Sequence, residues 1–456
     1  MKIVYLDFGC ISGDEPFTIF YAQQDLTDLL SMFKNENNPP LHFVLLHFWI
    51  KLFGLSPFST RFLSLLFSSA TVLFIYKLAK KSFNIRVAII ASMLFTFSNY
   101  HIFFAHETRV YPLFALLTTV SMYAFLSLIK DKKNKKYFFL LAISNVLLIY
   151  SHFFGFFVFV IQGLSILSIN YLRTNFLKEY SLVILITILF YIPYLNIFFT
   201  RFSSSTGGSW VSPPSFESLY NNLWAFSNEP VNTVVFLLTL VTALAFVFFK
   251  KTRTVDYNPS HSKVVLIWFL FPYLFIFSIS YLIPMFLDRY LVFISIGYYL
   301  TLAIAIDYIS SSKWVFYPLS IIITGMMIFT CDIKSGPDKP LKEMVNLIKQ
   351  SKDANTAVYL CPSWINLGFA YHYNIEYFKD YKQLNTKLNS DNVFSIYNEK
   401  GINDSILTQK SNIIYLDSWS ELVDPEGLIK KKFSKDFQVI RTDKSFDGMI
   451  KYDFSK

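Results

Sequence analysis

The sequence predicts a polytopic α-helical membrane protein of about ten or eleven transmembrane helices, with a small extracytoplasmic α/β domain at its C-terminal end. Three observations carry this. First, 54% of the 456 residues are hydrophobic and only 16% are charged. That is too apolar for a soluble chain and too long for one core. Second, basic clusters recur at every second connection between apolar runs. Third, the composition changes after residue 330, where helical and strand-like patterns alternate.

Apolar runs of spanning or near-spanning length lie at about 59–76, 86–104, 110–129, 137–151, 153–170, 180–199, 231–249, 264–284, 289–307 and 313–330. A helical span needs roughly 20 residues, so 137–151 must borrow from its flanks. The basic loops carry Lys77, Lys80, Lys81 and Arg86, then Lys130 to Lys136, Arg173 and Lys178, Lys250 to Arg253, and Lys313. The positive-inside rule puts them in the cytoplasm, and it accounts for the net charge of +10 without nucleic acid. The residues before 59, the turns near 100–109, His152 and 285–289, the loop 200–230 and everything after 330 then face outward.

Residues 1–330 read as a transmembrane domain, with 13–58 a structured outer loop. Residues 1–10 are apolar but too few to span, so the expectation is either a missing first helix or a short segment that only dips into the membrane. Over 16–33, Phe17, Phe20, Leu26, Leu29, Leu30 and Phe33 recur at helical spacing, and one amphipathic interfacial helix is expected. Residues 41–53 are expected to form a second interfacial or re-entrant helix.

In 331–456, helices are expected at 341–351, 366–374 and 426–436, and strands at Ala357 to Cys361, Ile413 to Leu416 and Gln438 to Arg441. A disulfide between Cys331 and Cys361 stays open.

Four clusters fall on the outer face: Asp14-Glu15, Asn38 to His42, His106 to Tyr111, and Asp288 to Tyr290. Charged groups near hydrocarbon are expensive, so their convergence points to a site. Each has a blander reading. Asp14 and Glu15 would serve as helix-dipole partners, worth under about 1 kcal/mol each. Arg109 and Arg289, at span starts, would snorkel. Together they suit an anionic substrate, because a guanidinium pairs bidentately with phosphate oxygens. Tyr111 and Tyr290 read as belt aromatics or as phosphate- and sugar-contacting groups. His42, His106, Glu107, His152 and Trp210 are the substrate-side candidates. The loop around Trp210 is either a plain connector or a flap over the site. The zinc-protease pattern fails at His106-Glu107, because the position needing a second histidine is Val110. No cofactor is required by the sequence, and no spacing enforces a divalent metal.

The constellation resembles the GT-C superfamily of membrane glycosyltransferases, in the family 39, dolichyl-phosphate-mannose-protein mannosyltransferase-like branch that includes the aminoarabinose transferase. The carriers are Asp14-Glu15, Pro39-Pro40-Leu41 before a run ending in Phe53-Gly54, Ala105 to Pro112, Tyr150 to Gly155, and Asp288 to Leu291. His106 stands where the family has Gln. The match runs from about residue 7 to 310, and nothing after it carries a motif. The resemblance implies a polyprenyl-phosphate-linked sugar donor and transfer with inversion at the outer side of the cytoplasmic membrane. The acceptor is a lipid, glycan or protein. Asp14 would be the general base, Glu15 and Glu107 would orient hydroxyls, and Arg109 and Arg289 would hold the leaving phosphate. The alternative is a transporter or lipid flippase, which would place charges on broken helices at mid-membrane. A non-catalytic membrane scaffold is the third reading.

Overall fold

The computed structural model describes residues 1–34, 36, 38–205, 211–249, 257–310, 312–336, 340–446 and 448–456. The chain forms two compact units. One comprises Met1–Tyr5, Thr27–Leu45 and Arg61–Gly336, the other Leu6–Leu26, Leu46–Thr60 and Pro337–Lys456.

In the first unit each expected apolar run falls on helix, although the run 264–284 stays helical only to Ile279. Six helices are long and apolar enough to cross a membrane: Pro57–Ser82, Tyr111–Lys130, Asn170–Ser203, Pro230–Phe248, Pro259–Ile279 and Asp288–Ile309. Ile85–Thr96 and Asn99–Ala105 form a further pair, bent by 61°. The runs expected at 137–151, 153–170 and 313–330 are the shorter helices Lys135–Ser151, Gly155–Ser168 and Lys313–Phe329.

The bend has an identifiable cause. Ser98 caps the second half of the pair, with its hydroxyl accepting from the His101 N–H. Asn228 clamps both sides of the break: its Oδ1 accepts from the Asn99 N–H at 2.8 Å, and its Nδ2 donates to the Phe97 carbonyl at 2.9 Å. One side chain thus satisfies backbone groups that a straight helix would pair internally.

Buried polar side chains tie three helices. Ser121 on Tyr111–Lys130 donates to Asn145 Oδ1 on Lys135–Ser151 at 2.6 Å. Asn145 donates to Gln162 on Gly155–Ser168, and Gln162 donates back to Ser121. In hydrocarbon such a closed ring resists separation, because each loose member would be left unsatisfied. Close approach supports the helix carrying residues 292–309: a Cβ on Gly297 would lie 3.1 Å from the Phe269 nitrogen.

The second unit holds a sheet of five strands: β1 (Thr356–Cys361), β2 (Val393–Ser395), β3 (Asn412–Asp417), β4 (Gln438–Phe446) and β5 (Met449–Ser455). Their order is β2-β1-β3-β5-β4. The first three run parallel, and β5 pairs antiparallel with both β3 and β4. The expected helices appear as Leu341–Ser351, Asn366–Tyr373 and Leu428–Phe433. The single helix expected over 16–33 is two, Glu15–Ala22 and Leu26–Met32. The break follows from side-chain chemistry. Gln23 Nε2 donates to the Phe378 carbonyl at 2.6 Å, and the Asp25 N–H donates to the Tyr381 hydroxyl at 3.1 Å. Phe20 packs edge-on against Phe378 and Tyr381. Cys331 and Cys361 are not joined in a disulfide, so the pairing left open by the sequence does not form.

Candidate active site

In the first unit, two turns and a short 3-10 helix carry the motifs around Arg109, His152 and Arg289. The turn 106–110 joins Asn99–Ala105 to Tyr111–Lys130 and is closed by the Arg109 N–H donating to the Glu107 carbonyl at 2.8 Å. Pro112 suits the first turn of the helix that follows. Arg109 is only 7% exposed. Its guanidinium lies 5.9 Å from the Tyr111 ring centroid. The Arg289 guanidinium and the Glu107 carboxylate also act electrostatically on the Tyr111 phenol.

The second turn holds His152. Its backbone N–H closes the helix Lys135–Ser151 by donating to the Leu148 carbonyl. The chain then turns into Gly155–Ser168, where the Gly155 N–H donates to the His152 carbonyl at 2.8 Å. A Cβ on Gly155 would lie 2.9 Å from the Leu148 oxygen, so the turn needs glycine. The imidazole stacks on Phe114 at 4.7 Å and 15° and lies 6.2 Å from the Tyr111 ring and 5.7 Å from the Tyr290 ring. The Phe154 N–H donates to its Nδ1, leaving Nε2 as the protonated nitrogen. Burial, and then the Arg109 charge, push its pKa down to about 3. His152 is therefore a neutral donor.

Asp288–Leu291 is a 3-10 helix that presents Arg289 and Tyr290. Asp288 Oδ1 accepts from the Arg289 N–H at 2.7 Å, and the Tyr100 hydroxyl donates to the Asp288 carbonyl. The Tyr290 ring lies 5.0 Å from Phe154, and the Arg289 guanidinium 6.0 Å from the Tyr290 ring.

His42 opens the helix Leu41–Phe53 and is 1% exposed. Burial, and then Arg109, push its pKa down to about 3. Its Nε2 is buried and has no hydrogen-bond partner among the described residues.

The other sequence candidates divide three ways. His106 spends both ring nitrogens on backbone carbonyls, Nδ1 on Ser335 at 2.8 Å and Nε2 on Lys2 at 2.7 Å. Asp14 and Glu15 belong to the second unit. There Gly13 turns the chain at φ +60°, Asp14 precedes the helix Glu15–Ala22 without capping it and is exposed, and Glu15 is fully buried. Trp210 lies outside the described residues. Sequence reasoning missed Phe114 and took Phe154 only as part of the Tyr150–Gly155 motif. Phe114 sits three residues after Tyr111, hence on the same helix face, which was a usable signal. Among the described residues, no three His, Cys, Asp or Glu side chains are grouped to hold a metal.

Residues 37–196 match the family described as dolichyl-phosphate-mannose-protein mannosyltransferase. The apo crystal structure of ArnT from Cupriavidus metallidurans superimposes with a TM-score of 0.62 at 12% identity, over 99% of this chain and 95% of that one. The two chains share one fold. The same protein bound to undecaprenyl phosphate matches with a TM-score of 0.62 at 11% identity, over 99% of this chain and 95% of that one. The apo oligosaccharyltransferase from Archaeoglobus fulgidus matches at 0.54 and 11% identity, over 89% of this chain and 66% of that one. No curated protein matches the sequence. At such identities the likeness is one of fold. A multi-pass, GT-C-like membrane protein with a small C-terminal sheet domain is what the sequence led us to expect, and it is what the chain forms.

Proposed function

We propose that this chain is a membrane glycosyltransferase that moves a sugar from a polyprenyl-phosphate donor to an acceptor at the outer face of the cytoplasmic membrane, with inversion. The observation that carries the reading is one cluster: the Arg109 guanidinium lies 5.9 Å from the Tyr111 ring, the Arg289 guanidinium 6.0 Å from the Tyr290 ring, and the His152 imidazole packs against both tyrosines at 6.2 and 5.7 Å. His42 and His152, each held neutral beside Arg109, complete the set. The fold supports it, as do the family match over 37–196 and the undecaprenyl phosphate held by the ArnT structure.

In this mechanism the acceptor oxygen or nitrogen attacks the anomeric carbon as the bond from that carbon to the phosphate oxygen breaks. The bonding pair leaves with the phosphate. Arg109 and Arg289 stabilise the charge that gathers there, which is worth most where water is excluded. His152 Nε2–H and the Tyr111 and Tyr290 hydroxyls would donate to phosphate or sugar oxygens without adding charge. Asp14 would take the proton from the acceptor, and Glu15 and Glu107 would orient hydroxyls. The C-terminal sheet domain would stand on the extracytoplasmic side.

The test is transfer of radiolabelled sugar from a polyprenyl phosphate by purified protein. Asp14→Asn should keep the fold and lose turnover, and near-normal turnover would remove Asp14 from the role of base. The flippase alternative draws on the 61° bend and on Pro193 and Pro272 inside helices. It predicts lipid movement with the sugar still attached.

A further inference from the structure

The second unit has a feature that the transferase chemistry does not use. Strands β2, β1 and β3 lie side by side and parallel, so their carboxyl ends emerge together, about 5 Å apart. The chain order reverses here, because β2 and β3 flank β1 on opposite sides. Parallel sheets hold ligands outside the carboxyl ends of their strands at such a reversal. Each of the three loops carries one large exposed aromatic: Trp364 after β1 (52% exposed), Tyr397 after β2 (53%) and Trp419 after β3 (57%). The Trp364 and Tyr397 rings lie 6.0 Å apart. Backbone bonds hold the loop starts in register: the Ile396 N–H donates to the Leu360 carbonyl at 2.9 Å and the Ser418 N–H to the Cys361 carbonyl at 2.8 Å.

Trp419 adopts φ +62°, a left-handed conformation that bulky residues avoid. Its indole lies against Gly448, where any Cβ would collide with the indole nitrogen. The chain accepts a strained backbone and a required glycine in order to leave a tryptophan exposed. Strain kept at such a place points to function.

We propose that Trp364, Tyr397 and Trp419 form a glycan-binding platform at the carboxyl ends of β1, β2 and β3, taking an uncharged or amine-bearing sugar chain. A sugar ring offers a flat face of C–H groups edged by hydroxyls, which matches rigid aromatic faces with N–H and O–H edges. Charge selects among occupants. The loops 396–401 and 417–426 carry Glu399, Asp417, Glu421, Asp424 and Glu426 against Lys400. Asp417 and Asp424 accept from backbone N–H groups, while Glu421 and Glu426 are exposed. Aromatic anchors at an anionic bilayer come with lysine and arginine, so this acidic setting disfavours a lipid surface. The platform itself does not depend on the transferase reading. Its use as the acceptor's seat does, and it makes that acceptor a glycan.

The test is binding by the intact chain in detergent, followed by tryptophan emission. The probes are hexamers of N-acetylglucosamine and of glucosamine, a hexamer of galacturonic acid, and phosphatidylglycerol vesicles. The wild type should bind the first two and not the uronic acid. The double variant Trp364→Ala/Tyr397→Ala should weaken that binding about tenfold or more with unchanged thermal unfolding. Tyr397→Phe, which keeps the ring, should retain most of it. Equal affinity in the double variant overturns the proposal. So does a wild type that binds no hexamer, or a double variant that loses vesicle binding instead. Glycan binding without sugar transfer would remove the transferase reading and leave the platform standing.

Discussion

The backbone N–H of Phe154 donates to Nδ1 of His152 over 3.1 Å, which places the imidazole proton on Nε2. With Arg109 close by and the ring buried, a second proton is disfavoured. The site gains a hydrogen-bond donor of fixed tautomer that adds no charge beside the guanidinium. His42, on another helix, is kept neutral by the same two causes.

This has a consequence for stability against pH. For both rings the folded pKa of about 3 lies below the ordinary value of 6.5. Between those values the unfolded chain binds more protons than the folded one, so stability rises with pH there. The contribution is complete above the unfolded value and is lost as pH falls toward the folded one. We therefore expect the melting temperature to drop between pH 7 and pH 5. His42→Gln and His152→Gln should each make that drop shallower, even if they melt lower at pH 7. Thermal unfolding at several pH values checks this, and an unchanged slope in both variants counts against it.

Arg109→Lys and Arg289→Lys keep the charge but lose the planar fork. Each should lower turnover by about 10²- to 10³-fold, the usual cost of losing one aligned donor to a developing anion. The tyrosines that the two guanidiniums flank both pack against His152, so the double variant should lose less than the product of the single effects. Steady-state rates with a polyprenyl-phosphate sugar measure the coupling. Strict additivity would mean that the two arginines serve different groups.

Gly155→Ala should destabilise by about 1–3 kcal/mol, because the new methyl meets the Leu148 carbonyl at 2.9 Å and the turn must open. His152 would shift with the turn, so activity should fall further than thermal stability alone accounts for. The matching control is Gly163→Ala, in the same helix, where a Cβ meets nothing within 4 Å.

Sidedness is open to chemical labelling. A cysteine replacing Lys132 should resist a membrane-impermeant thiol reagent in intact cells, and one replacing Ser363 should react, if the basic loops are cytoplasmic. The reverse pattern would invert the topology.

The sequence made the helices legible because spanning needs a long apolar run whatever its neighbours are. The sequence singled out Arg109, Tyr111, His152, Arg289 and Tyr290 because they sit at helix ends, where charge in a membrane protein calls for a reason. The hidden parts depend on distant partners. The break near residues 97–98 is stabilised by Asn228, about 130 positions away. The interruption of the expected 16–33 helix depends on Phe378 and Tyr381. The environment of His106 could not be read either, since its acceptors are the carbonyls of Lys2 and Ser335. Strand β2 has three residues, too few for any alternation to show. Strand β5 does alternate, with Ile450, Tyr452 and Phe454 in step, and was readable.

The account depends most on a lipid phosphate being held by both arginines. Native mass spectrometry of the purified protein with undecaprenyl phosphate tests this directly. The wild type should retain one lipid per chain, and Arg109→Gln/Arg289→Gln should lose it while still folding. Equal retention by the double variant would contradict the account.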